Sequence, residues 1–273
     1  MVIDFHTHIF PDRIAAKTIA LLSEKAGISP FSDGTVEGLL ARMEESGVDL
    51  SVTLPVLTSP AQFESVNRFA AEINARFANA PRRLISFAGI HPQCEDVEGK
   101  MQQIRQNGFL GVKIHPDYQG TFINDEGYVR ILKAAKALDL IVVTHAGVDV
   151  GYPDAPVRCT PALVREVIER VQHPKLVLAH CGASEMFDEV CRLLCGQNVY
   201  LDTAYVLRFI GKDTFQKIVK THGADRLLFA SDSPWSSQEG DLALLRSFGL
   251  TPSEERQILS ENARRLLGIR EGK

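Results

Sequence analysis

The densest chemistry in this chain lies at its beginning, in Asp4-Phe5-His6-Thr7-His8. Side chains two apart on a strand point the same way. A strand here therefore turns His6 and His8 inward together, with Asp4 one layer below. Two imidazoles side by side make a chelating edge for a transition metal. A third nitrogen and a carboxylate would complete a site that keeps one position open for water. The sequence offers His145 in Val143-Thr144-His145-Ala146-Gly147, His180 in Leu178-Ala179-His180-Cys181-Gly182, and Asp232 in Ala230-Ser231-Asp232-Ser233-Pro234-Trp235. A single His-x-His is weak evidence, since a buried histidine with its hydrogen bonds satisfied looks the same. Placement decides between the two readings.

Eight short, mostly unalternated apolar runs recur down the chain: Val2–Phe5, Leu50–Leu54, Leu84–Ile90, Leu110–Ile114, Leu140–Thr144, Lys175–Ala179, Val199–Asp202 and Leu227–Ala230. Strands buried on both faces read this way. Between them lie stretches with helical spacing, among them Thr35–Ser46, Gln62–Ala78 and Pro161–Val171. Alternating strands and helices predict parallel β-α units, and eight strands close a barrel. A doubly wound open sheet is the competing fold, but no Gly-x-Gly-x-x-Gly follows any strand. The prediction is one α/β domain over residues 1–273, a single (β/α)8 barrel. It carries an extra helix and loop over about 14–33 and a closing helix over about 253–268. In such a barrel every strand's C-terminal end meets at one face. His6 and His8, His91, His115, His145, His180 and Asp232 all follow strands, so they converge on one mouth. His173 and His222 fall in helix-to-strand connections, on the opposite face, as structural or solvated residues.

Of the 273 residues 45% are hydrophobic, and the formal net charge is −4. No basic face is implied, which argues against nucleic acid as a partner. No run is long and apolar enough to span a bilayer, and the first residues do not read as a signal peptide. Five scattered cysteines without a Cys-x-x-Cys fit a reducing cytoplasm. Cys191 and Cys195, four apart on a helix, read as packing residues.

The ordered set His6-x-His8, His145, His180 and Asp232 resembles the amidohydrolase superfamily. The nearest branch is the amidohydrolase-related group that holds the aminocarboxymuconate-semialdehyde decarboxylase-like enzymes. Glu261-Asn262-Ala263-Arg264-Arg265-Leu266-Leu267-Gly268 resembles that group's last helix. The resemblance implies a metallo-dependent hydrolase barrel with one divalent ion, zinc first and manganese second, held by His6, His8, His145 and Asp232. It also implies that Asp232 takes a proton from metal-bound water and that His180 stands beside the open position. A metal lowers the pKa of its water to about 7, and a carboxylate next to it can relay the proton.

Lys113, in Gly111-Val112-Lys113-Ile114-His115, has three readings: a carboxylated bridge for a second metal, a cation for a substrate carboxylate, or a structural lysine. One metal and an unmodified Lys113 are expected. Further substrate contacts are expected from His115, His91, Arg158 and Trp235, while Tyr152 also follows a strand. Three activities compete. The first is hydrolysis of a small-molecule amide, ester or lactone. The second is non-oxidative decarboxylation of an unsaturated or aromatic acid. The third is binding without chemistry, which an intact ligand set argues against. The partner expected is a small molecule, with a carboxylate suited to Lys113 and Arg158, and homo-oligomers are compatible with the fold.

Overall fold

The computed structural model describes residues 1–80 and 83–269. Its strands are β1 (Ile3–Thr7), β2 (Leu50–Thr53), β3 (Arg83–Ser86), β4 (Ala88–Gly89), β5 (Gly111–Ile114), β6 (Ile141–Thr144), β7 (Leu176–Leu178), β8 (Tyr200–Asp202) and β9 (Leu227–Leu228). All pair in parallel, β1 to β3 in one sheet and β4 to β9 in another. The run expected as one strand over Leu84–Ile90 is split at Phe87, so nine segments make eight barrel strands. Phe87 still donates its N–H to Thr53 O at 3.0 Å, and at the other seam Phe5 N–H reaches Phe229 O at 2.9 Å.

The core divides in two. Ile3, Phe5, Val52, Ile85, Val143, Val177 and Leu228 belong to one cluster, which fills the barrel, with Leu266 and Leu267 beneath it. Val112, Val142, Leu178, Leu201 and Phe229, of opposite parity, pack against the helices. This alternation is why the strand runs are apolar throughout.

The helices that matter for the site are α1 (Asp12–Ala26), α2 (Val36–Ser46), α3 (Phe63–Phe77), α4 (Val97–Gln106), α5 (Glu126–Ala137), α6 (Pro161–Val171), α7 (Phe187–Leu193), α8 (Leu207–Ile210), α9 (Lys212–His222) and α10 (Gln238–Ser247). α2 starts where Thr35 accepts the Gly38 N–H and ends at left-handed Gly47, a normal pair of caps. The segment expected over 14–33 is α1 and the loop after it. The closing helix is interrupted: Pro252–Arg256 and Asn262–Leu267 are joined by a π turn over Gln257–Glu261. Ile258 O in that turn accepts the Phe229 N–H at 2.9 Å. No described helix is long and apolar enough to cross a membrane.

One expectation changes. Asp4 does not lie beneath His6. The pairing of β1 shifts register between Asp4 and Thr7, which breaks the period of two. Asp4 instead faces the helix layer, where it accepts from Ser231 N–H and Oγ and from Gln238 on α10. Burial pushes its carboxyl up to about 6. His173 and His222, expected as structural or solvated, are both buried, the structural alternative. His222 packs at the end of α9, with Nε2 3.1 Å from Val199 O. Cys191 and Cys195 pack at the edge of the helix-layer core.

Candidate metal centre

His6 and His8 reach the C-terminal mouth at the end of β1, and Asp232 comes from the turn after β9. His8 N–H donates to Ser233 O at 2.6 Å and Asp232 N–H to His6 O at 2.9 Å. The backbone that closes the barrel thus places the site. Asp232 and His180 both adopt left-handed backbone, φ 69° and 60°. Non-glycine residues hold such conformations only where the surroundings impose them, most often at functional sites.

Three ligand atoms form a triangle. His6 Nε2 and His8 Nε2 are 3.2 Å apart, and Asp232 Oδ1 lies 3.1 Å from His8 Nε2 and 3.4 Å from His6 Nε2. Ligands about 2.1 Å from one ion are about 3.4 Å apart in tetrahedral and about 3.0 Å apart in octahedral geometry. The protons settle whether the set suits a cation. His6 Nδ1 donates to Asp202 Oδ2 at 2.9 Å and His8 Nδ1 to Leu54 O at 2.8 Å. Each ring therefore presents its Nε2 lone pair. Burial, then the charge of Lys113, holds the His6 pKa well below its usual value, so this ring stays neutral. Two lone pairs and a carboxylate facing one another repel unless a cation lies between them, and the residues present fit a divalent metal. Asp202 fixes the His6 tautomer, as a carboxylate partner does for histidines that bind metals. Its Oδ1 also accepts the His180 and Ala204 N–H groups.

His145 stands apart from this triangle. Its ring stacks on His115, centroids 4.2 Å apart and planes 9° from parallel, and its Nδ1 meets His180 Nε2 at 2.9 Å. Together with His115 and Asp149 it makes a second group of converging donor atoms. The His145 ring is thus turned to His115 and His180, and it is not part of the group made by His6, His8 and Asp232. His145 Nε2 is buried without a hydrogen-bond partner, 3.7 Å from Asp117 Oδ2. Of the four expected ligands the structure brings three together, and the fourth lies one histidine away.

These groups floor a cavity of about 400 Å³ whose wall includes His6, His8, Lys113, His115, His145, His180, Asp232 and Trp235. Lys113 is buried, its Nζ 3.1 Å from His6 Nε2, and desolvation pushes its pKa down to about 8. Among the described residues no ion pair includes Lys113. His91 and Arg158 do not line the cavity. The His91 ring accepts the Gln93 N–H at 3.2 Å, a turn role, and Arg158 lies 3.6 Å from Asp117 Oδ1, turned away to a carboxylate of the chain itself. Tyr152 lies outside the wall as well, beneath Lys25. Asp117, Asp149, Asp202 and Gln119 escaped sequence reasoning. Gln119 accepts the His115 N–H and ties Leu57 O to Ile90 O. Asp202 ends a predicted strand, so the rule that singled out the histidines also applied to it.

The model of the amidohydrolase family matches residues 3–269. The chain belongs to that family. No curated protein matches it in sequence. Among solved structures, the amidohydrolase chain is similar to 2,6-dihydroxybenzoate decarboxylase from Rhizobium, at 15% identity over 98% of each chain with a TM-score of 0.69. It is similar to a TIM-barrel protein of Bordetella bronchiseptica, at 18% identity over 98% of each chain and TM-score 0.74. It is also similar to a 5-carboxyvanillate decarboxylase of Novosphingobium aromaticivorans bearing manganese, at 14% identity, 98% and 97% coverage and TM-score 0.72. At these identities the likeness shows a shared barrel.

One loop contact joins His145 to His180. Gly147 (φ 87°) follows His145, and a Cβ there would lie 2.1 Å from Ser184 N and 2.4 Å from Ser184 O. Gly147→Ala is therefore expected to cost at least about 2 kcal/mol in denaturant unfolding, from backbone strain and overpacking combined. An unchanged midpoint would mean that this junction yields freely.

Proposed function

We propose that this amidohydrolase-family enzyme removes carbon dioxide, without oxidation, from a small unsaturated or aromatic carboxylic acid, using one divalent metal. The observation that carries this reading is Lys113: a buried ammonium beside the triangle of His6, His8 and Asp232, with no carboxylate of the described residues in an ion pair with it. A carboxylate entering the cavity meets its charge there. The decarboxylases among the structural neighbours support the same reading over hydrolysis.

A divalent cation held by His6, His8 and Asp232 would polarise an oxygen of the bound acid. The protein does the rest. Lys113 binds and orients the carboxylate. The carbon–carbon bond breaks, its electron pair stays on the ring or alkene carbon, and that carbon takes one proton. Asp232 and His180, on the cavity floor, are the groups we assign to carry it. His145, joined to the triangle's neighbour His180, is proposed as the further ligand. Zinc and manganese both suit two imidazoles and a carboxylate; one ion per chain and an unmodified Lys113 are expected by elemental analysis and intact mass.

The test is a panel of hydroxybenzoates and alkenoic acids with metal-loaded protein in D2O. Release of carbon dioxide, with one deuterium at the vacated carbon, is expected. Turnover of lactones or amides without carbon dioxide would establish hydrolysis instead, which the open position beside the triangle also accommodates.

His180→Asn is expected to keep its metal, because His180 is not among the proposed ligands and its Nδ1 is engaged by Ala204 O at 2.9 Å. Activity should fall about 10²–10³-fold, the usual cost of one group acting on the reacting atoms. Metal-free His180→Asn protein would make it a ligand.

A further inference from the structure

β1 is followed by two helices, and α1, the first, buries only Ala15 and Ile19. Ile14, Thr18 and Leu22 instead line the cavity. They are four residues apart and form one stripe along the helix. Val66 and Phe69 of α3 line the same cavity. Most charge lies on the floor, and the lining from α1 and α3 is mainly apolar, with Arg13, Thr18 and Ser65 as its polar members.

α1 is a fastened wall. Lys25 Nζ lies 3.2 Å from the Tyr152 ring centroid, a close cation–π contact. Beyond the helix Phe31 N–H donates to Pro234 O at 2.7 Å, and the Arg208 guanidinium stands 5.8 Å from the Phe31 ring. Two wall residues, Ile14 and Val150, are nonetheless 42% and 37% exposed.

A cavity of about 400 Å³ falls within the range of roughly 300–1,000 Å³ typical of sites for drug-sized ligands. A single-ring acid held at Lys113 would occupy the floor and leave the α1–α3 slot unfilled. We propose that the substrate is amphiphilic: its carboxylate lies at Lys113, and a hydrophobic substituent, an alkyl chain or a second ring, lies between α1 and α3. The carboxylate half of this inference rests on the function proposed above; the slot does not.

The test is equilibrium binding, which needs no turnover. Manganese-loaded protein is titrated calorimetrically with benzoate and with 3- and 4-alkylbenzoates from ethyl to hexyl. Affinity should rise about three- to fourfold per methylene in at least one series, the increment for a buried CH2 group. Leu22→Gln and Ile14→Asn should each cut that step below twofold, with thermal unfolding as the check on folding. Affinity that is flat or falls with chain length in both series overturns the proposal, as does an unchanged step in both variants. The 4-alkylbenzamides separate the two halves. If they show the same step and bind as tightly as the benzoates, the slot stands and the carboxylate reading falls.

Discussion

Asp202→Asn is expected to abolish metal binding at working concentrations while leaving the barrel folded. The reason is a proton. Asp202 Oδ1 accepts two backbone N–H groups, from His180 and Ala204. In the variant the amide oxygen takes that place, which leaves the amide NH2 facing His6 Nδ1. That nitrogen must then accept rather than donate, so the His6 proton moves to Nε2. It would point at His8 Nε2, 3.2 Å away, into the space a cation needs. Outer partners of ligating histidines commonly contribute 10–100-fold in affinity or activity, and a wrong tautomer places this substitution at or beyond about 100-fold. Titration with manganese or zinc, beside thermal unfolding of the metal-free protein, measures both quantities. Normal metal affinity in a folded Asp202→Asn protein would show that His6 ligates by another route.

Lys113→Met carries the second large effect. Methionine fills much the same volume without a charge, and replacing a buried charge by a well-packed apolar side chain is often neutral or stabilising. Folding should survive, and metal should be retained, since Lys113 holds no corner of the triangle. Decarboxylation should fall about 10²–10³-fold, with a raised KM, because the carboxylate loses its counter-charge. Hydrolysis of an uncharged lactone would not suffer comparably, so kcat/KM of this variant on the two substrate classes separates the proposed function from its rival. Full decarboxylase activity in Lys113→Met would remove the argument for a carboxylate at this position.

What could be read from the sequence followed from periodicity and from the rule that barrel sites form at strand ends. Those principles located β1, β5, β6 and the helix over Pro161–Val171, and they put His6, His8, His180 and Asp232 at one mouth. They could not see register. The irregularity between Asp4 and Thr7 depends on how β1 pairs with β2, and no local residue signals it. The position of the His145 ring depends on its stacking against His115, a contact between strands that sequence separates by a helix. His91 and Arg158 satisfied the strand-end rule and still miss the cavity, because a turn N–H and a neighbouring aspartate claim them. Asp202 was overlooked for a different reason: an aspartate ending a strand usually belongs to the following turn, and only its contact with His6 distinguishes it.

The hydrogen bonds between His6, His8 and the turn carrying Asp232 have a consequence for how the molecule is assembled. They lie on the seam between the first barrel strand and the last, and the residues they join, such as His8 and Asp232, are 224 positions apart. A cation between them would clasp nearly the whole chain into a ring. In the unfolded chain, bringing such distant points together carries a large closure entropy, and a ligand that binds only the closed form shifts the balance by mass action. The metal would then act as a buckle as well as a reagent. A chelator should lower the melting temperature as well as silence the enzyme, and amide exchange should accelerate first in β1 and β9.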